Sequence, residues 1–141
     1  MRKFRILLLI LASAACTFGA QAAGPEIGTL MERARDLFDY GRWSDARHEF
    51  LRAKAALTPS DRLLAQEVEF YLAACAVELG SADAEGALRE FDERYPGSVY
   101  ANDVHFALGS FYCSAGNMKK AREAFEKTDY RALSAPRREQ Y

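Results

Sequence analysis

Residues 99–128, VYANDVHFALGSFYCSAGNMKKAREAFEKT, contain two helical patterns and the turn between them in a single run. Leu108, Gly109, Tyr112, Ala121 and Phe125 fall at helical intervals on either side of Gly116-Asn117. Glycine is costly inside a helix, and asparagine prefers caps and turns, so this pair ends one helix and opens the next. The spacing predicts a helical hairpin, with helices over 99–115 and 118–127.

The same marks recur upstream. Ala87 and Phe91 stand 34 residues before Ala121 and Phe125, and Ala46 and Phe50 stand a further 41 before those. Leu72-Ala73 precedes Gly80 as Leu108-Gly109 precedes Gly116, with Ala76 in the place of Tyr112. Ala34, Leu37 and Gly41 continue the series, although Arg33 sits where leucine is expected. Further helices are expected over 29–40, 44–57, 61–79 and 84–94, with Trp43 packed across the first turn. Ser44 is the N-cap candidate of the second helix. Pro59 and Pro96 fall between helices, where proline is tolerated.

These residues resemble the tetratricopeptide repeat, in which a Leu-Gly pair, an aromatic, a turn glycine, an alanine and an aromatic recur at about 34 residues. The resemblance covers about 100 of the 141 residues, in units 29–60, 61–97 and 98–130. It implies an all-α, right-handed α-solenoid of about three antiparallel helix pairs that serves as a binding scaffold. The Phe-x-x-x-Tyr-Pro-x-Ser ending at 91–98 is similar to a repeat variant of bacterial envelope proteins, among them outer-membrane assembly lipoproteins and Tol-Pal accessory proteins.

The first 22 residues read as a secretory signal. Arg2, Lys3 and Arg5 precede an apolar run, and Ala20-Gln21-Ala22 forms a small-x-small cleavage site. Residues 23–28 follow as a short linker. Ser13-Ala14-Ala15-Cys16 is also similar to a bacterial lipobox, which would place an acyl chain on Cys16 and tether the chain to a membrane. Without the leader, 16 basic residues face 20 acidic ones, a net charge of −4. A mildly acidic body without a basic, aromatic-laced run does not suit nucleic acid. Cys75 and Cys113 occupy unequal repeat positions, which favours two buried thiols over a disulfide. Residues 131–141 begin like a further first helix, with Ser134 and Pro136 at its start, so more repeats or another protomer are expected over the last hairpin.

Catalysis needs convergent acid, base or nucleophile groups. His48 and His105 each stand apart from any His or Cys at helical metal-ligand spacing, and no phosphate loop or nucleophile elbow occurs. Interleaved acids such as Glu67, Glu69, Glu90, Asp92 and Glu93 read as exposed i, i+4 pairs. No enzyme, cofactor or metal site is expected. The working surface the resemblance implies is the concave face, lined by the first helix of each pair. Ten residues before the turn glycines are Met31, Phe70 and Phe106; three before are Phe38, Val77 and Cys113; Glu67 and Asp103 flank them. Such an apolar strip with an acidic edge suits an amphipathic helix or extended peptide of an envelope protein, and packing between neighbouring hairpins is the competing use.

Overall fold

A computed structural model describes residues 26–133, and these are all-helical, with no strand among them. Six α-helices follow in order: α1 Ile27–Asp39, α2 Trp43–Ala56, α3 Arg62–Glu78, α4 Ala84–Arg94, α5 Ala101–Ser114 and α6 Met118–Glu126. A 3₁₀ turn at Tyr130–Ala132 closes the described chain. The leader with Cys16, and the expected helix start at 134–136, lie outside the described residues.

Three turns have one construction. Gly41, Gly80 and Gly116 hold φ of 71°, 61° and 72°, the left-handed region that glycine enters without penalty. At each, the glycine N–H donates to the carbonyl three residues back (Phe38, Val77, Cys113), at 2.9 to 3.0 Å. The following N–H of Arg42, Ser81 and Asn117 donates to the carbonyl five back (Leu37, Ala76, Tyr112), at 2.8 to 2.9 Å. Both bonds satisfy carbonyls that the helix end leaves unpaired. They fold α2 onto α1, α4 onto α3 and α6 onto α5.

Each helix packs on its neighbours in the chain, and α3 also touches α5. One apolar cluster joins α1, α2 and α3 through Leu30, Met31, Ala34, Phe50 and Val68; a second joins α3, α4, α5 and α6 through Ala73, Leu88, Phe91, Val104, Leu108 and Ala121. Because α3 serves both clusters, it is apolar on more than one side, as a helix covered on several faces must be. Aromatic rings close the seam: Phe50 stacks on Tyr71 at 4.8 Å, and Phe70 stacks on Tyr100 at 4.5 Å.

The small residues seven before each turn glycine, Ala34, Ala73 and Gly109, are all buried. Only the third has no Cβ, and a Cβ there would lie 2.5 Å from Phe125 Cε1. That aromatic therefore sits directly on the α5 backbone.

Several boundaries differ from the sequence reading. Helix α1 starts at Ile27, inside the expected linker, because Ile27 packs on the first apolar cluster. Ser44 does not cap α2; Arg42 holds that position without capping the helix through its side chain, and Ser44 is exposed within the helix. Helix α2 starts at Trp43, so Ser44 is already its second residue. Helix α5 begins two residues after Val99. Trp43 does lie over the first turn, 3.8 Å from where a Cβ on Gly41 would stand.

Candidate functional site

The rows of first-helix residues fall into two environments. Met31 and Phe106 are 1% and 4% exposed, and Asp103 is 6% exposed, so these three are core rather than open surface. Phe106 faces the Phe125 ring at 5.8 Å between centroids, which explains its burial. Phe70, Phe38 and Val77 are half-buried. Phe38 meets Tyr71 edge-on at 5.3 Å, and Phe70 meets Tyr71, Phe91 and Tyr100. Packing between hairpins therefore takes most of the strip, and an uninterrupted exposed ladder is absent. Equal offsets along a helix give equal azimuth, but what lies opposite differs: Phe106 meets Phe125 of α6, whereas Phe70 meets Tyr71, Phe91 and Tyr100.

Two apolar residues outside those rows remain open. Leu63 and Val99 each stand seventeen residues before a turn glycine and are 82% and 84% exposed. They stand four residues ahead of Glu67 and Asp103, Leu63 in the first turn of α3 and Val99 in the turn that precedes α5. Glu67 accepts from Arg35 Nε at 2.7 Å, across from α3 to α1. That bond, followed by the nearby Glu67 charge, raises the Arg35 pKa above its usual value. The same offset arithmetic that found Phe70 and Phe106 would have found Leu63 and Val99.

Away from those rows, two grooves repeat one plan, each with a first helix as floor and successive second helices as walls. The first, about 140 Å³, lies over α3 between α2 and α4. Glu69 bridges it, meeting Lys54 Nζ of α2 at 3.4 Å and Arg94 Nη1 of α4 at 2.8 Å. The second, about 690 Å³, lies over α5 between α4 and α6. His105 takes the place of Glu69 there and pairs through Nε2 with Asp92 Oδ1 at 2.8 Å. Tyr112 donates its hydroxyl to Glu85 Oε1 at 2.7 Å, and Lys120 reaches the same oxygen at 3.2 Å. Those two bonds, Tyr112 first, hold the Glu85 carboxyl below its usual range.

The acidic residues thus divide. Glu90 with Arg94 and Arg89 with Glu93 are the expected i, i+4 pairs, whereas Glu67, Glu69 and Asp92 link separate helices. His48 is exposed, and among the described residues no group of three or more His, Cys, Asp or Glu is placed to hold a metal ion. Both Cys75 and Cys113 are free thiols. Cys75 is buried as expected, and burial pushes its pKa up to about 12; Cys113 is exposed, because it stands on the uncovered side of α5. No helix among the described residues is long and apolar enough to cross a membrane.

Compared with family models, curated proteins and solved structures, the chain matches none of them.

Proposed function

We propose that this chain is a non-catalytic protein–protein interaction scaffold of the tetratricopeptide-repeat type, a right-handed α-solenoid exported to the bacterial envelope. The observation that carries this reading is the threefold recurrence of one hairpin, each with the same left-handed glycine cap and a buried small residue seven positions before it. Packing chiefly between chain neighbours, with α3 also touching α5 of the next hairpin, agrees with it, since repeat stacks are held by contacts between adjacent units. Partner peptides or helices of envelope proteins bind at the exposed Leu63 and Val99, since packing between hairpins takes most of the first-helix rows. Neither a cofactor nor a reaction of its own belongs to this reading.

The test has two parts. Expressed in a bacterium, the chain is expected in the periplasmic fraction with Ala23 as its first residue. An acylated Cys16 would place it on a membrane as a lipid-anchored assembly factor, and a cytoplasmic chain retaining Met1 would overturn the export reading. Cross-linked envelope partners of the wild type should be lost in Leu63→Glu/Val99→Glu, while circular dichroism stays unchanged. Capture that is indifferent to this double substitution would overturn the scaffold surface.

A further inference from the structure

We propose that the outer side of the third hairpin is a docking seat for an amphipathic helix presenting valine and leucine at i and i+4. The inference rests on the repeat reading, and its surface is separate from Leu63 and Val99. An open apolar groove of about 430 Å³ lies there, lined by Cys113, Met118, Ala121, Arg122, Phe125 and Glu126. One hairpin earlier, the matching positions are Val77, Ala84, Ala87, Leu88, Phe91 and Asp92. Ala84, Leu88 and Phe91 are 1 to 2% exposed, and Leu88 and Phe91 share an apolar cluster with Val104 and Leu108 of α5. The first hairpin is covered the same way, with Phe50 of α2 packed among Val68 and the partly buried Leu64 and Leu72 of α3.

The chain thus twice displays the occupant that this surface takes. On each occasion it is a helix with Val and Leu four residues apart: Val68 with Leu72, then Val104 with Leu108. On the third hairpin no helix among the described residues fills the seat, and Met118 is 60% exposed. Its chemistry has also changed. Arg122 stands where Leu88 stood and pairs with Glu126 at 3.5 Å. A charged rim around an apolar floor keeps the surface wetted until a helix arrives, which suits reversible docking more than a permanent core. Residues 134–141, SAPRREQY, contain no Val, Leu or Ile and cannot supply the pattern. The exposed residues of α1, among them Glu32, Arg33, Asp36 and Asp39, are polar, so the near end of a second copy does not match it either.

The probe is a synthetic peptide of residues 61–79 carrying Cys75→Ser, which contains Leu64, Val68 and Leu72. A photo-activated cross-linker is placed on Cys113 of the full chain in a Cys16→Ser background, Cys75 being buried. The labelled chain is expected to capture the peptide, and a peptide with Val68→Asp/Leu72→Asp should escape. With the unlabelled chain, fluorescence anisotropy should show affinity falling about ten-fold in Met118→Glu, a substitution at an exposed site that leaves the fold intact. No capture, or binding unaffected by Met118→Glu, would overturn the proposal. Capture of residues 134–141 would give the seat to the chain's own end, and joining of two chains would give it to a second copy; either also overturns it. If the seat fails while the Leu63→Glu/Val99→Glu result holds, the scaffold reading survives alone.

Discussion

At the scale of single residues, Gly109 and Phe125 show how closely two helices approach. A glycine inside α5 sacrifices up to about 1 kcal/mol of helix propensity, yet any Cβ there collides with the Phe125 ring. The collision outweighs the propensity gain. Gly109→Ala should therefore lower unfolding free energy by about 1–3 kcal/mol in urea titrations. Gly86→Ala, whose Cβ meets nothing within 4 Å, should instead be stabilising by about 0.5–1 kcal/mol. If both alanines behave alike, the Phe125 contact is not as described.

Buried titratable groups give a second prediction at this scale. Cys75 is pushed from 9.0 to about 12, and Tyr71 from 10.0 to about 12, in both cases chiefly by burial. Folding thus favours their neutral forms, and the unfolded chain releases these protons at lower pH. Their contribution to stability is complete below the unfolded pKa of the thiol and is lost as pH climbs toward 12. The urea midpoint should fall steadily above about pH 9, and Cys75→Ala should flatten the lower part of that fall. A midpoint constant up to about pH 11 would refute the burial of both groups.

At the scale of elements, the three left-handed caps are a set that can be tested together. A Cβ on Gly80 or Gly116 meets nothing within 4 Å, so crowding is not what requires glycine there. The backbone is. Gly41→Ala, Gly80→Ala and Gly116→Ala should each cost about 1–2 kcal/mol, as left-handed residues with a side chain do. Lying in separate hairpins without common partners, the three costs should add within about 0.5 kcal/mol in a triple variant. One cap that tolerates alanine freely would set its hairpin apart from the other two.

The last connection is built differently. Asn102 donates through Nδ2 to the Asp129 carbonyl at 2.7 Å and accepts from the Asp129 N–H at 2.6 Å. This clamp fixes the strand of chain leaving α6 against the start of α5, and Leu133 beyond it is 3% exposed. Asn117 caps α6 by accepting from the Lys120 N–H at 3.2 Å, the one α-helix start among those described with a side-chain cap.

At the scale of the molecule, stability should grade along the chain. Helix α3 packs on α2, α4 and α5, whereas α6 packs chiefly on α5. Local opening follows the number of covered faces, so amide exchange should be slowest in α3 and fastest in α6 and the Tyr130–Ala132 turn. Uniform protection from α1 to α6 would contradict a stack held by neighbour contacts. The Glu69 bridge from Lys54 to Arg94 adds only a modest, salt-sensitive term to this order, because both basic partners are nearly half exposed.

The sequence by itself determined the six helices and their three turns. Periodicity, proline and turn glycine are local signals, and Gly41, Gly80 and Gly116 act through their own φ. It also placed Ala84–Arg94 to the residue, because Gly80 to Asp83 before it and Tyr95-Pro96 after it leave no freedom. Tertiary structure alone decided which members of an equal-offset row are open. Met31, Phe106 and Asp103 are shut in by neighbouring helices, while Leu63 at the start of α3 and Val99 just before α5 stay exposed. Burial depends on what lies opposite, and a pattern along one helix does not encode the placement of the next.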